Sequence, residues 1–184
     1  MPNFTKQAIK QTFLQLLDER PLSAITVKDI VENCGINRNS FYYHFRDIHA
    51  LLEEIVTEEA DRIIAAYPTI DSLEMALGAA VDFAETHRRA VLHIYRSIDR
   101  ALFEQHLWKV SGHVVASFAR SALGDAQMDE DDRAVFLHLF ECQCFGLVMA
   151  WLNDGMREDV HGRIRRLCEL QRNFLEGMGL YARP

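Results

Sequence analysis

The sequence predicts an all-α protein of about nine helices, with an N-terminal three-helix unit at residues 1–48 and a larger helical body at 49–184. Two observations carry this prediction. Apolar residues recur at helical spacing along almost the whole chain. Period-two alternation bounded by turn residues, which would indicate strands, is absent.

The N-terminal segments carry clear signals for the starts and ends of helices. The first helix is expected to start at a Thr5 cap and to stop at Pro21, since proline cannot continue a helix. Thr26-Val27-Lys28-Asp29 has the capping-box pattern, with a hydroxyl first and a carboxylate three residues later. Gly35 is suited to end that helix, and Asn37 to cap a third. The result is a helix, a tight turn and a helix.

The body is predicted to continue as helices. After a long helix that stops before Pro68, further helices are expected near 71–86, 88–98, 100–122, 130–153 and 160–177. Gly124-Asp125 and Asn153-Asp154-Gly155 separate the last three. The helix at 130–153 is apolar nearly all round, so it must be covered on more than one side, most simply by a second copy of the chain.

The charge distribution and the cysteines indicate which partners and which cellular compartment suit this chain. The net charge is -7, yet residues 1–50 carry six Lys/Arg against five Asp/Glu, so a nearly neutral head precedes an acidic body. The four cysteines lack paired spacing, and the first residues lack a signal-peptide run, which favours a reducing cytoplasm. Apolar runs such as 145–152 are shorter than the roughly 20 residues of a membrane span. No membrane association is expected.

The third helix has two contrasting sides. Successive steps of about 100° place Phe41 and Phe45 together, where they can pack on Ile9, Ile30 and Leu51. The opposite side carries a stripe of Asn39, Tyr42, Tyr43 and Arg46, with Arg38, Ser40 and His44 at its edges. These groups suit phosphates and base edges in a major groove. On spacing alone, a solvated polar face remains an equal alternative.

A family resemblance favours the DNA-binding alternative. The runs 25–30, 34–47 and 51–52, which include Phe41-Tyr42-Tyr43-His44-Phe45, resemble the signature of the TetR family of regulators over about residues 4–56. The apolar anchors Ile9, Leu16 and Leu17 fall where that pattern has them. The turn residues, the helix caps and the order of the aromatic residues all agree with that pattern.

The resemblance implies a set of DNA contacts. It assigns them to Thr26, Lys28, Asn37, Arg38, Asn39, Ser40, Tyr42, Tyr43, His44 and Arg46. Thr26 would also cap the second helix. Asn39 replaces a residue that is often small, and Ile48 stands where many relatives have a phosphate-binding lysine. The first departure is expected to alter base preference and the second to weaken affinity.

Two copies are expected to bind a near-palindromic operator, since one helix reads only a few base pairs. In this family the last two long helices form a four-helix bundle across the dimer axis. The residues that would form it here are Phe136, Leu139, Leu147, Trp151, Ile164, Leu167, Gln171, Phe174 and Leu175.

The resemblance further implies a small-molecule effector that binds in the body and relieves repression. Candidate pocket residues are His93, Tyr95, Trp108, His113, Phe118, Phe140, Cys144 and Met149. For each of them, packing in a helical core is the simpler interpretation. The sequence names no effector and no cofactor.

A metal site is not expected. His138 and Cys142 share one helix face, but two ligands do not make a site, and Cys142 and Cys144 point about 200° apart. Buried, inert thiols are the default for the cysteines, with oxidant sensing as the alternative.

Two other classes of protein fit the sequence less well. An all-helical metal-dependent enzyme of the di-iron type needs two Glu-x-x-His motifs, and only Glu158 to His161 occurs, at a helix start. No phosphate-binding glycine loop or nucleophile elbow is present. A helical interaction module without DNA would leave the exposed polar stripe of the third helix without a role.

Overall fold

A computed structural model describes residues 2–69, 73–96, 100–123 and 129–177. Within these ranges the chain forms nine α-helices, one short 3-10 helix at Leu22–Ala24 and no strand. The helices are α1 (Pro2–Glu19), α2 (Val27–Cys34), α3 (Arg38–His44), α4 (Ile48–Ala66), α5 (Leu73–Thr86), α6 (Arg88–Tyr95), α7 (Arg100–Leu123), α8 (Glu130–Asn153) and α9 (His161–Gly177). The predicted all-α fold is confirmed.

Most helix ends agree with the local sequence signals. The start of α1 was predicted wrongly: the helix begins at Pro2, upstream of the Thr5 hydroxyl, because proline is tolerated in a first turn. The 3-10 turn after Pro21 was not predicted. The predicted boundaries at 71 and 98 and the Gly124-Asp125 separator lie outside the described residues.

The chain divides into two compact units. The first comprises residues 1–59 and 84–106, and the second comprises 60–83 and 107–184. The three N-terminal helices therefore share a unit with the start of α4 and with α6. The simpler division at residue 48 stays a prediction.

The first unit has a continuous apolar core around α1. Ile9, Phe13 and Leu17 are fully buried, and α1 packs against α2, α3 and α6. Two polar contacts tie α6 to α1: the backbone N–H of Ala90 donates to Asp18 Oδ1 at 3.2 Å, and His93 Nδ1 lies 2.6 Å from the Leu17 carbonyl oxygen. These contacts hold α1 in place beneath α2 and α3.

A buried cation joins α1 to α4. Lys10 is only 5% exposed, and its Nζ lies 2.5 Å from Glu54 Oε1 and 2.6 Å from Glu58 Oε1. Lys6 Nζ also contacts Glu54, at 2.7 Å. Burial acts to raise the pKa of Glu54, but the bonds from Lys10 and Lys6 outweigh it and lower the pKa. The carboxylate is therefore held in its charged form.

We expect Glu54→Gln to lower the free energy of unfolding at pH 7 by about 1–2 kcal/mol, a modest value because Glu54 is partly exposed. A carboxylate with a lowered folded-state pKa stabilises the fold fully above its ordinary pKa of 4.5 and loses that contribution as pH falls through the folded value. The difference between the two proteins should therefore shrink in acid. Urea unfolding at pH 7 and pH 3 measures it.

Glu32→Gln is the matched control for that experiment. Glu32 makes an exposed contact of 3.7 Å with Lys28 within one helix. Its substitution is expected to change stability by less than about 0.5 kcal/mol at either pH. A Glu54→Gln effect no larger than this control would contradict the proposed role of the buried lysine.

The second unit contains a separate small core of Ile63, Ala76 and Phe118. Elsewhere in the unit, α7 and α8 face each other through Trp108, whose ring makes edge contacts with those of His138 and Phe145 at 5.7 and 5.4 Å between centroids.

Helix α8 is long and apolar enough to cross a membrane by length and composition alone, with a mean hydropathy of 1.6 over its most apolar stretch. The prediction from the sequence considered only uninterrupted apolar runs. His138, Glu141 and Gln143 interrupt the apolar residues of α8 but lower its mean hydropathy little, so this helix did not stand out there. Only 11% of the stretch is buried inside the protomer. An apolar helix so little covered is suited to a contact outside its own chain.

Candidate nucleic-acid interface

The start of α2 is fixed by a reciprocal capping box. The Thr26 backbone N–H donates to Asp29 Oδ2 at 2.8 Å, and the Asp29 backbone N–H donates to Thr26 Oγ1 at 3.2 Å. The Thr26 hydroxyl also donates to Asp29 Oδ2 at 2.6 Å. These bonds, from the Thr26 hydroxyl first and its backbone second, hold the pKa of Asp29 below its usual value, and Arg20 adds to the effect. The predicted cap is confirmed.

The turn between α2 and α3 requires its glycine. Gly35 has φ +67° and ψ 33°, the left-handed region that disfavours side chains with a Cβ. The Ile36 N–H closes the turn onto the Val31 carbonyl oxygen at 3.0 Å. Cys34 Sγ lies 3.2 Å from Thr12 Oγ1 on α1. The glycine conformation and these two contacts fix the direction in which α3 leaves the turn.

The first residues of α3 are occupied by their own cap. Asn37 Oδ1 accepts from the Ser40 N–H at 2.8 Å and from the Ser40 hydroxyl at 3.1 Å. Asn37 caps α3 as predicted. Asn37 Oδ1 and the Ser40 hydroxyl proton are therefore already used in the helix start, and the DNA contacts of these two side chains stay a prediction.

The inner side of α3 anchors it in the core. Phe41 is fully buried, Phe45 nearly so, and their ring centroids lie 5.8 Å apart. Both belong to the same apolar cluster as Ile9, Ile30 and Leu51. The contacts predicted from the 100° spacing are confirmed.

The outer side of α3 is open to solvent. Tyr42 is 54% exposed and Tyr43 78% exposed, and Arg38 and Asn39 are exposed as well. We call these four residues the recognition face. The Tyr43 ring meets the ring of His44, which is half-buried, at 5.0 Å between centroids. Two large aromatic rings with hydroxyl groups stand in water beside an arginine, on a helix that contains no acidic residue.

Two of the predicted DNA-contacting cations have acidic neighbours. Arg46 Nε donates to Asp47 Oδ2 at 2.9 Å, while Asp47 Oδ1 caps α4 by accepting from the Ala50 N–H at 2.8 Å. The bond from Ala50 lowers the pKa of Asp47 most, and Arg46 adds to this. Lys28 pairs loosely with Glu32. Asp47 therefore caps a helix and partly neutralises its neighbour, and sequence reasoning did not foresee the second of these roles.

We expect Asp47→Asn to tighten binding to a nonspecific duplex by about 2- to 10-fold and to steepen its salt dependence by about one phosphate contact per copy. Asparagine can still cap α4, so the fold is retained while the carboxylate that offsets the charge of Arg46 is removed. Fluorescence anisotropy at several salt concentrations measures the change. In an Arg46→Ala background the same substitution should have no effect, and weaker binding by Asp47→Asn alone would contradict the prediction.

The predicted pocket residues are distributed over both compact units. His93 and Tyr95 lie in the first unit, where His93 contacts the Leu17 carbonyl oxygen and Tyr95 is buried against Phe103. Both have packing partners in that unit, and their assignment to a pocket stays a prediction. The other six, Trp108, His113, Phe118, Phe140, Cys144 and Met149, lie in the second unit.

Within the second unit these six residues have different surroundings. Phe118 is buried in the small core, and His113 is exposed with its Nε2 2.7 Å from Asp61 Oδ1. Phe140 packs on Phe136. Burial raises the pKa of the Cys144 thiol, and a hydrogen bond with Ser111 opposes this. Phe118 is therefore core, which was the simpler interpretation for the whole set.

The residues predicted for a dimer interface fall into three groups. Leu139, Leu147 and Phe174 are exposed in the protomer. Phe136, Ile164, Leu167 and Gln171 are half-buried, and Gln171 Nε2 donates to Gln143 Oε1 at 2.8 Å. Trp151 and Leu175 are buried inside the protomer.

The last group is a correction, because those two side chains have no surface to offer a partner. The Trp151 indole N–H donates to the Glu158 carbonyl oxygen at 3.2 Å, within its own chain. Exposed Val135 and Leu170 were missed, although helical spacing places them beside Leu139 and Phe174.

Comparison with known families agrees with this arrangement. The model described as "Bacterial regulatory proteins, tetR family" matches residues 13–55, and the model described as "Transcriptional regulator C-terminal region" matches residues 71–173. The fold is that of a helix-turn-helix protein with a helical body. The chain belongs to the TetR family.

Individual relatives are distant. The chain is 21% identical over 185 residues to the uncharacterized HTH-type transcriptional regulator YxbF of Bacillus subtilis, a match that covers 92% of this chain and 45% of that protein. It is 28% identical over 102 residues to the HTH-type transcriptional repressor KstR2 of Mycolicibacterium smegmatis, covering 52% of this chain and 50% of that one. The chain thus spans about half the length of these curated relatives.

Among solved structures, the dihydroxyacetone kinase operon activator DhaS superposes with a TM-score of 0.71, covering 91% of this chain and 95% of that chain. Sequence identity is 17%, so the likeness shows the fold alone.

Proposed function

We propose that this protein is a homodimeric repressor that binds a near-palindromic operator through α3 of each copy and releases it when a small molecule binds in the body. The observation that carries the proposal is the recognition face. Arg38, Asn39, Tyr42 and Tyr43 are exposed on a helix whose other side is locked in the core by Phe41. Such a helix can enter a major groove without rearrangement.

The side chains of this face suit DNA in different ways. Arg38 has no ion pair with any described residue, so its donors are available to a phosphate or to the acceptors of a guanine edge. Asn39 can donate to and accept from an adenine edge. Tyr42 and Tyr43 offer hydroxyl donors for phosphates and ring surface for thymine methyl groups.

The homodimer is supported by the exposed apolar residues of α8 and α9. Leu139, Leu147 and Phe174, together with Val135 and Leu170, would be covered by the same surface of a second copy. Dimeric helix-turn-helix proteins read half-sites about one helical turn, roughly 34 Å, apart. We expect sedimentation equilibrium to give twice the 21.2 kDa mass of the chain.

Repression, rather than activation, is proposed from the sequence relative that is named a repressor, KstR2. DhaS is named an activator, but its likeness is one of fold. Deleting the gene should raise expression of a reporter placed behind the bound promoter. A fall in expression would establish activation instead and leave DNA binding intact. We place the protein in the cytoplasm, where its operator is.

Gel retardation with the DNA upstream of the gene tests the DNA-binding step. If two copies each place Lys28, Arg38 and Arg46 at phosphates, affinity should fall by about 10³-fold between 50 and 200 mM salt. A duplex of unrelated sequence should bind more weakly and with a similar slope. Failure to find salt-sensitive binding to any upstream fragment would refute the proposal.

A further inference from the structure

Two potential metal ligands stand side by side on α8. His138 Nε2 lies 3.7 Å from Cys142 Sγ, and both residues are exposed. Tetrahedral zinc bonds a thiolate at about 2.3 Å and an imidazole nitrogen at about 2.0–2.1 Å, which puts the two ligand atoms about 3.6 Å apart. The observed separation therefore matches a shared zinc ion.

The other nitrogen of the same ring faces a carboxylate. His138 Nδ1 lies 3.5 Å from Glu141 Oε2. Histidines that bind metals usually give their second N–H to a carboxylate, which fixes the tautomer and leaves the first nitrogen free to coordinate. Glu141 stands on the Nδ1 side of the ring, where it favours the tautomer that leaves Nε2 of His138 free to coordinate.

These residues lie on the uncovered side of α8. Val135, Leu139 and Cys142 fall within an arc of about 60° on the helix. Val135 is 72% and Leu139 57% exposed, so the surface around the thiol is apolar and unshielded by its own chain. In the proposed homodimer this surface is the one that a second copy covers, and each copy would bring its own pair of ligands to it.

We propose that two copies of this chain bind one zinc ion between them, through His138 and Cys142 of each. This inference rests on the homodimer of the proposed function. One chain supplies only two ligands, whereas the pair supplies the two nitrogens and two sulfurs of a closed structural site. Each thiol releases its proton to solvent on binding, so the ion is held by two thiolates and two neutral imidazoles. The ion would stabilise the dimer.

Cys144 does not belong to this site. It is partly buried, hydrogen-bonds with Ser111 and lies about 200° around the helix from Cys142. It is therefore the matched control for Cys142.

The test starts from full-length protein stripped of metal and kept reduced, titrated with Co²⁺ as a spectroscopic substitute for Zn²⁺. We expect a thiolate-to-metal charge-transfer band with the visible absorption of tetrahedral Co²⁺, saturating at one ion per two chains and reversed by Zn²⁺. Cys142→Ser and His138→Gln should each abolish the signal, and Cys144→Ser should retain it. With free Zn²⁺ at 100 times its own dissociation constant, the dimer dissociation constant should fall by about 100-fold.

The outcomes separate this inference from the proposed function. A dimer that binds no Co²⁺, or whose Cys142→Ser variant binds it unchanged, overturns the zinc site and leaves the DNA-binding proposal intact. A monomer that binds one ion per chain overturns both the shared site and the homodimer. A Cys142 disulfide between copies without metal also overturns the site. Loss of DNA binding with a normal metal titration would count against the proposed function only.

Discussion

Replacement of Phe41 by alanine is expected to lower the free energy of unfolding by about 3–5 kcal/mol. Phe41 is fully buried in the core of the first unit, in ring contact with Phe45, and its removal leaves a cavity between α3 and α1. Because small domains are stable by only about 5–15 kcal/mol, this change removes a large share of the stability of the first unit. Thermal unfolding followed by circular dichroism measures the loss, and DNA retardation should fall with it.

Tyr43→Ala is the matched control, two positions along the same helix. Tyr43 is mostly exposed, so truncation should change stability by less than about 0.5 kcal/mol while weakening DNA binding. Comparison of the two variants separates the loss of a core anchor from the loss of a DNA contact. Equal destabilisation by the two substitutions would contradict the orientation of α3, in which Phe41 is buried and Tyr43 is exposed.

The second large effect is expected from Arg38→Ala. The Arg38 side chain is exposed at the start of α3 and carries the recognition face's one positive charge. A specific arginine contact contributes about 1–3 kcal/mol, and a dimer loses it twice, so affinity for the upstream fragment should drop by at least about 30-fold. Stability should be unchanged, since no buried surface is lost.

Arg120→Ala supplies the charge control for this experiment. Arg120 is exposed on α7, in the second unit, and its removal changes the net charge by the same amount. It should leave retardation within about twofold of the parent. Equal losses from the two variants would mean that overall charge, rather than a groove contact, determines affinity. Tyr42→Ala should also weaken binding without changing the salt slope, because it removes no charge.

The features that sequence reasoning predicted correctly are local ones. The Thr26 and Asn37 caps, the Gly35 turn and the inward pair Phe41 and Phe45 depend on residues within four positions of one another. A hydroxyl three residues before a carboxylate, or a glycine after an apolar turn, has few alternative structures. The family resemblance rested on these signals and was confirmed.

Predictions about the body required knowledge of what covers each face. Helical spacing placed Trp151 with Leu147, but only packing within the chain separates the buried tryptophan from the exposed leucine. Periodicity identifies an apolar face without naming the element that covers it. The contact of His93 with α1 was not predicted for the same reason, since α1 is far away in sequence.

By itself, the sequence determined that the chain is helical, where its N-terminal helices are capped and which side of α3 is apolar, because these properties depend on short-range periodicity and backbone bonding. The tertiary structure alone decided which side chains remain exposed and which polar groups pair. Lys10 with Glu54, and His93 with the Leu17 carbonyl oxygen, are far apart in sequence, so these contacts follow only from the packing of whole helices against one another.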